Sequence, residues 1–359
     1  HGGGWLHAVF GLMQGIETSD GSKRRLTART DQALSWMQAE DPRPFFLLLH
    51  GYDTHAPHNA PKGYEQDLPT PPTIERDVLK MVRRFHDDRR LLQPDEMFDF
   101  VVRWMTVGEK PAAKMLAAWE ASVFEEGQVA AFRGLRKDPR YPQLMAYLKA
   151  VYAREVAALD DGIGVLMDGL RSGGLLENTL VVFLSDHGEE FMEHGVMGHR
   201  QIYREVGRVP LVMRLPGGRG GGSRIDGVTS LVDVMPTILS VVGLPVPRRS
   251  QGRNLLTPSV AGAAPHALIN LGGTWGIRTG DLSAYLTRRG RRDDWTVFDV
   301  AADPAEQDGT AKGRQALRGR LRALGKRHRA LGAGSAVDEA ILTPELREEL
   351  RGLGYLDDE

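Results

Sequence analysis

Six of the eleven histidines of this 359-residue chain fall in two short windows. His50, His55 and His58 lie within residues 50–58, and His187, His194 and His199 within residues 187–199. The second window opens Ser185-Asp186-His187-Gly188-Glu189-Glu190, then runs through Glu193-His194-Gly195 to Gly198-His199. A carboxylate beside an imidazole can serve one divalent cation, and Gly188 lets the chain turn sharply enough for Asp186 and His187 both to face it. Two ligands do not complete a site, so further oxygen donors must come from elsewhere in the fold. His55 and His199 suit a different task, a cationic or hydrogen-bonding contact to an anionic substrate.

Each of these residues also has a plainer reading. Asp186 is a good N-cap for a following helix, His199 a solvent-facing loop histidine, and His55 a turn residue in a proline-flanked loop. Glu189, Glu190 and Glu193 read most simply as a solvated first helical turn. Arg208, ahead of Val209-Pro210, reads as an ion-pair anchor for the start of a strand.

The elements around the windows give them a common address. Phe45 to His50 and Leu180 to Leu184 are short apolar runs, as expected of strands covered on both faces of a parallel sheet. Ligands of open α/β sheets bind beyond the carboxyl ends of the strands, so both windows are expected to face one pocket. Helical spacing predicts a helix over about 26–40 and a long one carrying Leu148, Val151, Tyr152, Leu159, Ile163, Leu166 and Leu170, stopped by Gly173-Gly174. A further strand is expected over 209–215 and a helix over 231–242. Residues 64–141 read as a helical insertion without a site signature. The alternation implies a mostly parallel sheet with helices on both faces.

After Leu256 the pattern changes. Runs at 267–271, 275–279, 283–286 and 295–300, separated by turn residues, predict a small antiparallel sheet. A basic helix over about 306–331 and a terminal helix over 344–353 are expected to follow. The domain organisation is therefore an α/β core over 1–256, containing the insertion, and a C-terminal subdomain over 257–359.

The formal net charge of −1 argues against nucleic acid or an anionic membrane as partner. The absence of cysteine excludes disulfides and thiolate metal sites. The longest mostly apolar window, 227–247, is broken by Asp233, Pro236 and Pro245, so no membrane span is expected. Oligomeric state is not readable. Opening on His1-Gly2-Gly3-Gly4-Trp5, the sequence reads as a piece of a longer protein.

Several segments, taken in order, resemble the sulfatase family. Leu49-His50-Gly51-Tyr52-Asp53-Thr54-His55-Ala56-Pro57-His58 is similar to its Asp-Pro-His-x-Pro strand end, with Thr54 in place of the proline. The stretch from Ser185 to His199, continued by Tyr203-Arg204-Glu205-Val206-Gly207-Arg208-Val209-Pro210-Leu211, resembles its second metal segment. Residues 231–239, Gly243-Leu244-Pro245 and 252–256 are similar to the helix and turn beyond it. Phe298-Asp299, Asp303-Pro304-Ala305-Glu306 and the ending from Leu342 to Leu356 resemble its C-terminal domain.

The resemblance implies an alkaline-phosphatase-like α/β fold, a mostly parallel sheet sandwiched by helices, with a small C-terminal antiparallel-sheet α+β domain. It implies a sulfuric ester hydrolase acting on a small-molecule or carbohydrate sulfate ester. It implies Asp186 and His187 as ligands of one divalent cation, calcium before magnesium or manganese. His55 would bind substrate and act as general acid, and His199 would bind a sulfate oxygen. The family's nucleophile is a formylglycine made from Cys/Ser-x-Pro-x-Arg, which this sequence lacks, as it lacks an Asp-Asp pair after an apolar strand. Both are expected upstream of His1, so the chain alone is expected to be inactive and to show unpaired strand edges. The family also makes export or a periplasmic location an expectation. Two alternatives stand beside it: a phosphonate or phosphate monoester hydrolase or phosphotransferase of the same superfamily, and a non-catalytic paralogue.

Overall fold

A computed structural model describes residues 15–20, 25–39, 43–74, 94–106, 134–199, 201–257, 266–271, 274–289 and 292–310, with a few positions between 315 and 323. These residues form two compact units, one before Leu175 and one from Leu175 onward.

The first unit is helical. Helix α1 spans Leu26–Met37, α2 Pro94–Thr106 and α3 Tyr141–Ser172. Helix α1 packs on α3 where α3 lacks side chains. A Cβ on Gly162 would lie 2.5 Å from a Thr27 methyl, and one on Gly169 would lie 2.4 Å from Leu34. Those two glycines are two helical turns apart, so they open one continuous groove for α1. Helix α2 is tied to the start of α3 by Arg140, which reaches buried Asp99 at 2.8 Å and Asp138 at 2.8 Å, with its guanidinium 4.1 Å from the Phe98 ring centre. Within the expected insertion, α2 is helical as predicted, while residues 64–74 are turns and loop.

Phe45 to His50 departs from expectation. It belongs to no ladder among the described residues, and Phe46 and Leu48 are 65% and 53% exposed. An apolar run announces what it can bury; its cover must come from neighbouring strands, and no described strand pairs with it. Phe45 does find a partner, the edge of Trp36 on α1 at 5.8 Å.

The second unit carries the sheets. Strand β1 (Val181–Leu184) pairs antiparallel with β4 (Leu211–Arg214). Between them lie β2 (Glu190–Phe191), β3 (Met197–Gly198) and the single-turn α4 (Arg204–Gly207). A 3₁₀ turn and α5 (Val234–Val241) follow, as the helical pattern predicts, with Ser230 and Asp233 forming a capping box. Every ladder among the described residues is antiparallel, so the parallel partners expected for β1 and β4 are not among them. Nor is β1 fully buried: Leu184 is exposed, as is Val212 opposite Phe183 on β4.

The antiparallel subdomain is present as expected. Strands β5 (Ala267–Leu271), β6 (Thr274–Arg278), β7 (Leu282–Arg289) and β8 (Arg292–Asp299) form one meander in sequence order. One face buries Ile277, Ala284, Trp295 and Val297 with Leu317, and a second cluster joins Tyr285, Phe298 and Val300 to Ile202. Buried Glu306 locks that second contact. Its carboxylate accepts Ser283 Oγ at 2.5 Å, Tyr285 Oη at 2.8 Å and the main-chain N–H of Arg204 at 3.0 Å. Of the helix expected over 306–331, residues 306–310 are turn and loop, while 315, 317–319 and 323 are helical. The terminal helix over 344–353 lies outside the described residues.

Candidate functional site

The geometry at the end of β1 follows from one small hairpin. Strands β2 and β3 pair Glu190 with Gly198 and Phe191 with Met197, and the chain reverses through Met192 and Gly195, both at positive φ. That register returns His199 to the side of Glu189 and His187, although twelve residues separate the histidines. Their rings stack with centroids 4.1 Å apart, and His199 Nδ1 lies 2.9 Å from buried Glu189 Oε1. His187 Nδ1 lies 3.0 Å from its neighbour's carbonyl, Gly188 O, a contact that turns its Nε2 away from the main chain.

Asp186 caps no helix. One of its oxygens accepts the N–H of His187, the other lies 3.9 Å from His187 Nε2, and its side chain is 63% exposed. No helix begins after it because the next segment is the hairpin. For the same reason Glu189 and Glu190 are not a solvated first turn. Glu189 is spent on His199, and Glu190 is fully buried at the start of β2. Arg208 is exposed.

Gly188 is required by a close approach rather than by a positive φ. Its N–H donates to Val206 O at 2.9 Å, and a Cβ there would come within 2.0 Å of Glu205 O. The hairpin is therefore bound to the α4 turn, which Glu306 in turn holds to the β-meander. Sequence reasoning missed Glu189 as the group that orients His199. The i, i+10 separation carries no helical or strand signal, and only the hairpin register creates the pair.

The first histidine window is built differently. Asp53, 6% exposed, accepts the N–H of Leu26 with both oxygens, at 3.0 and 2.8 Å, and so caps α1 from a distance in sequence. Burial pushes its carboxyl above the ordinary range, against the pull of the Leu26 N–H and the Arg25 charge. Gly51 makes room for this cap, since a Cβ there would sit 2.3 Å from Asp53 Oδ2. Arg29 of α1 donates to His50 O at 2.8 Å. His58 is buried against Glu155 of α3 at 2.8 Å, and the N–H of Asn59 meets the other carboxylate oxygen at 2.6 Å. Burial raises the Glu155 carboxyl, with His58 opposing. His55 is half-buried, with Nδ1 2.6 Å from Ala56 O and its ring edge-on to Tyr52 at 5.4 Å. The structure thus brings Asp186, His187 and His199 together in the second unit and places His55 in the first.

Known proteins resemble this chain along most of its length. A family model described as Sulfatase matches residues 12–244. An N-acetylglucosamine-6-O-sulfatase of Bacteroides thetaiotaomicron is 27% identical over 78% of this chain and 56% of its own length. The multifunctional alkaline phosphatase superfamily protein PehA of Trinickia caryophylli is 28% identical over 66% of the chain and 41% of its own. The chain thus spans about half the length of the curated relatives it matches.

Among solved structures, one described as a complex with its substrate D-glucosamine-2-N,6-O-disulfate aligns with a TM-score of 0.56 and 21% identity, over 88% of this chain and 71% of that one. The phosphonate monoester hydrolase of Silicibacter pomeroyi aligns with a TM-score of 0.56 and 21% identity, over 91% and 66%. At these identities the likeness shows the fold, which is the alkaline-phosphatase-like one.

Proposed function

Because the chain belongs to the sulfatase family, matched over 12–244 of its 359 residues, we propose that the whole protein hydrolyses sulfate monoesters of carbohydrates, with sulfated glucosamine as the substrate class. The observation that carries this reading is the grouping at the end of β1, where an exposed carboxylate, Asp186, adjoins two stacked imidazoles, one of them oriented by a buried acid. The 6-O-sulfatase relative and the glucosamine disulfate complex of a fold neighbour support the substrate class.

The family implies a divalent cation, and Asp186 and His187 suit one. Asp186 Oδ2 and His187 Nε2 lie 3.9 Å apart, a separation that one ion with donors at about 2.0–2.6 Å can bridge. Asp186 and His187 would hold it, calcium being the first expectation and magnesium or manganese the others. When bound there, such an ion would supply positive charge to offset that on a transferring sulfuryl group.

The chain's own histidines have separate tasks. With Nδ1 turned to Glu189, His199 presents Nε2 to an anionic sulfate oxygen, and Glu189 fixes the ring in that orientation. His55, with Nδ1 on Ala56 O, presents Nε2 as the atom that binds substrate and passes a proton to the leaving oxygen as general acid. No residue of this chain is assigned as nucleophile. The sequence contains neither cysteine nor a Ser-x-Pro-x-Arg stretch from which a formylglycine could form.

A second reading, phosphonate monoester hydrolysis, is favoured by fold neighbours of that activity aligning as well as the disulfate-bound one. The test is hydrolysis by the full-length protein containing this chain. Sulfate release from glucosamine 6-sulfate and 4-nitrophenyl sulfate is expected, abolished by chelation and by Asp186→Asn. Faster turnover of a phosphonate monoester would move the assignment to the second reading. Turnover of neither class would make the protein a non-catalytic paralogue.

A further inference from the structure

The hairpin that presents His187 and His199 carries a second set of donors that none of these roles uses. Glu190, at the start of β2, is 0% exposed, and neither of its carboxylate oxygens has a hydrogen-bond partner. The main-chain N–H of His194 lies close enough to favour its charge without reaching hydrogen-bond geometry. Beside it, His194 Nε2 and Glu205 Oε2 are buried 3.2 Å apart, and neither makes a hydrogen bond. One donor atom from each of Glu190, His194 and Glu205 lies within 4.8 Å of the other two.

The donors sit on well-braced backbone. The His194 ring lies flat on Tyr203, with centroids 3.7 Å apart and planes 10° apart, and Tyr203 rests edge-on against Tyr285 and Phe298. Glu205 belongs to the α4 turn, whose first N–H is held by Glu306 and whose Val206 carbonyl is held by Gly188. The three donors therefore come from two segments that already touch.

Two acids and an imidazole with unmet donors in a shared buried space form a costly arrangement. Burial and the neighbouring Glu205 push the Glu190 carboxyl up to about 8. A cation bound by all three residues would satisfy the orphaned atoms and cancel the repulsion between the acids. We propose that Glu190, His194 and Glu205 form a second divalent-cation site, separate from Asp186 and His187, built for zinc rather than calcium.

Donor chemistry selects the ion. Calcium takes six to eight oxygens, whereas zinc accepts three protein donors of mixed nitrogen and oxygen type. Donors at about 2.0–2.1 Å from a tetrahedral zinc stand roughly 3.4 Å apart, close to the 3.2 Å between His194 and Glu205. Zinc also outranks manganese for such a donor set. Bound there, it cross-links the hairpin to the α4 turn and so steadies the loop that carries His187 and His199.

The test is equilibrium dialysis of the 359-residue chain against Zn2+ alone, in an Asp186→Asn, His187→Ala background that removes the other site. One Zn2+ per chain and a zinc-dependent rise in melting temperature are expected. Glu190→Gln and Glu205→Gln, close in shape to the originals, should each weaken uptake 10- to 100-fold and abolish the rise. Circular dichroism without metal checks folding, and Glu190→Gln is expected to fold at least as well as its parent because it removes a buried acid. Cobalt in place of zinc should give the intense visible bands of a four-coordinate ion. Absence of zinc uptake by the background chain overturns the proposal, as does unchanged uptake in both glutamine variants.

Discussion

In residues 50–58 the acids and histidines are largely committed to neighbouring helices, whereas in residues 186–205 many of them are left with donor capacity. Asp53 spends both oxygens on the first N–H of α1, and His58 with Glu155 closes a buried pair that clips the loop to α3. Asp186, by contrast, keeps one carboxylate oxygen off the backbone and its side chain in solvent, and Glu190 keeps both oxygens unbonded in the interior. The same residue types thus brace a loop in one place and keep unspent oxygens in the other. Whether both carboxylate oxygens have already met a partner decides which.

The contrast can be broken by exchanging the two behaviours. Asp186→Ala should lower sulfate ester hydrolysis by the full-length protein about 10³-fold or more, roughly 4 kcal/mol of barrier. Its melting temperature should stay within a degree or two, because an exposed carboxylate holds little of the fold together. Glu155→Ala should do the reverse, costing about 3 kcal/mol of stability by leaving His58 and the Asn59 N–H buried without their partner. Urea unfolding would read it, and an unchanged midpoint would remove the His58–Glu155 pair from the role of brace.

A pH series sharpens the same contrast. Since burial raises the Glu155 carboxyl above its ordinary 4.5, the protonated form is favoured in the fold. Its contribution is full below that value and is lost as pH rises through the folded value, by at most about 1.4 kcal/mol per pH unit. Glu155→Gln should flatten that slope. The smallest expected effect is Glu189→Gln, which leaves the ring of His199 in place without the charge behind it. About tenfold lower kcat is expected, with KM little changed and the folded structure intact.

Much of the second unit was legible from pattern. The four-strand meander and the helix after Ser230 follow period-2 and period-3.6 repeats closely, and Asp186-His187-Gly188 marks a strand end whatever surrounds it. Phe45 to His50 was misjudged because an apolar run reveals a need for cover and not its source. Glu190 was misjudged for the opposite reason. A run of acids looks solvated, and only the two-residue ladder with Met197 and Gly198 draws its side chain inside.

By itself the sequence determined the long helices, the strands of the meander and which side chains could ligate an ion or bind an anion, because these depend on residue type and short-range spacing. Only the tertiary structure decided which of those side chains meet. Glu189 with His199, Glu190 with His194 and Glu205, and His58 with Glu155 are brought together across 4 to 97 residues by a hairpin register and by helix packing. Such pairings depend on where the backbone returns, and local composition carries no record of that.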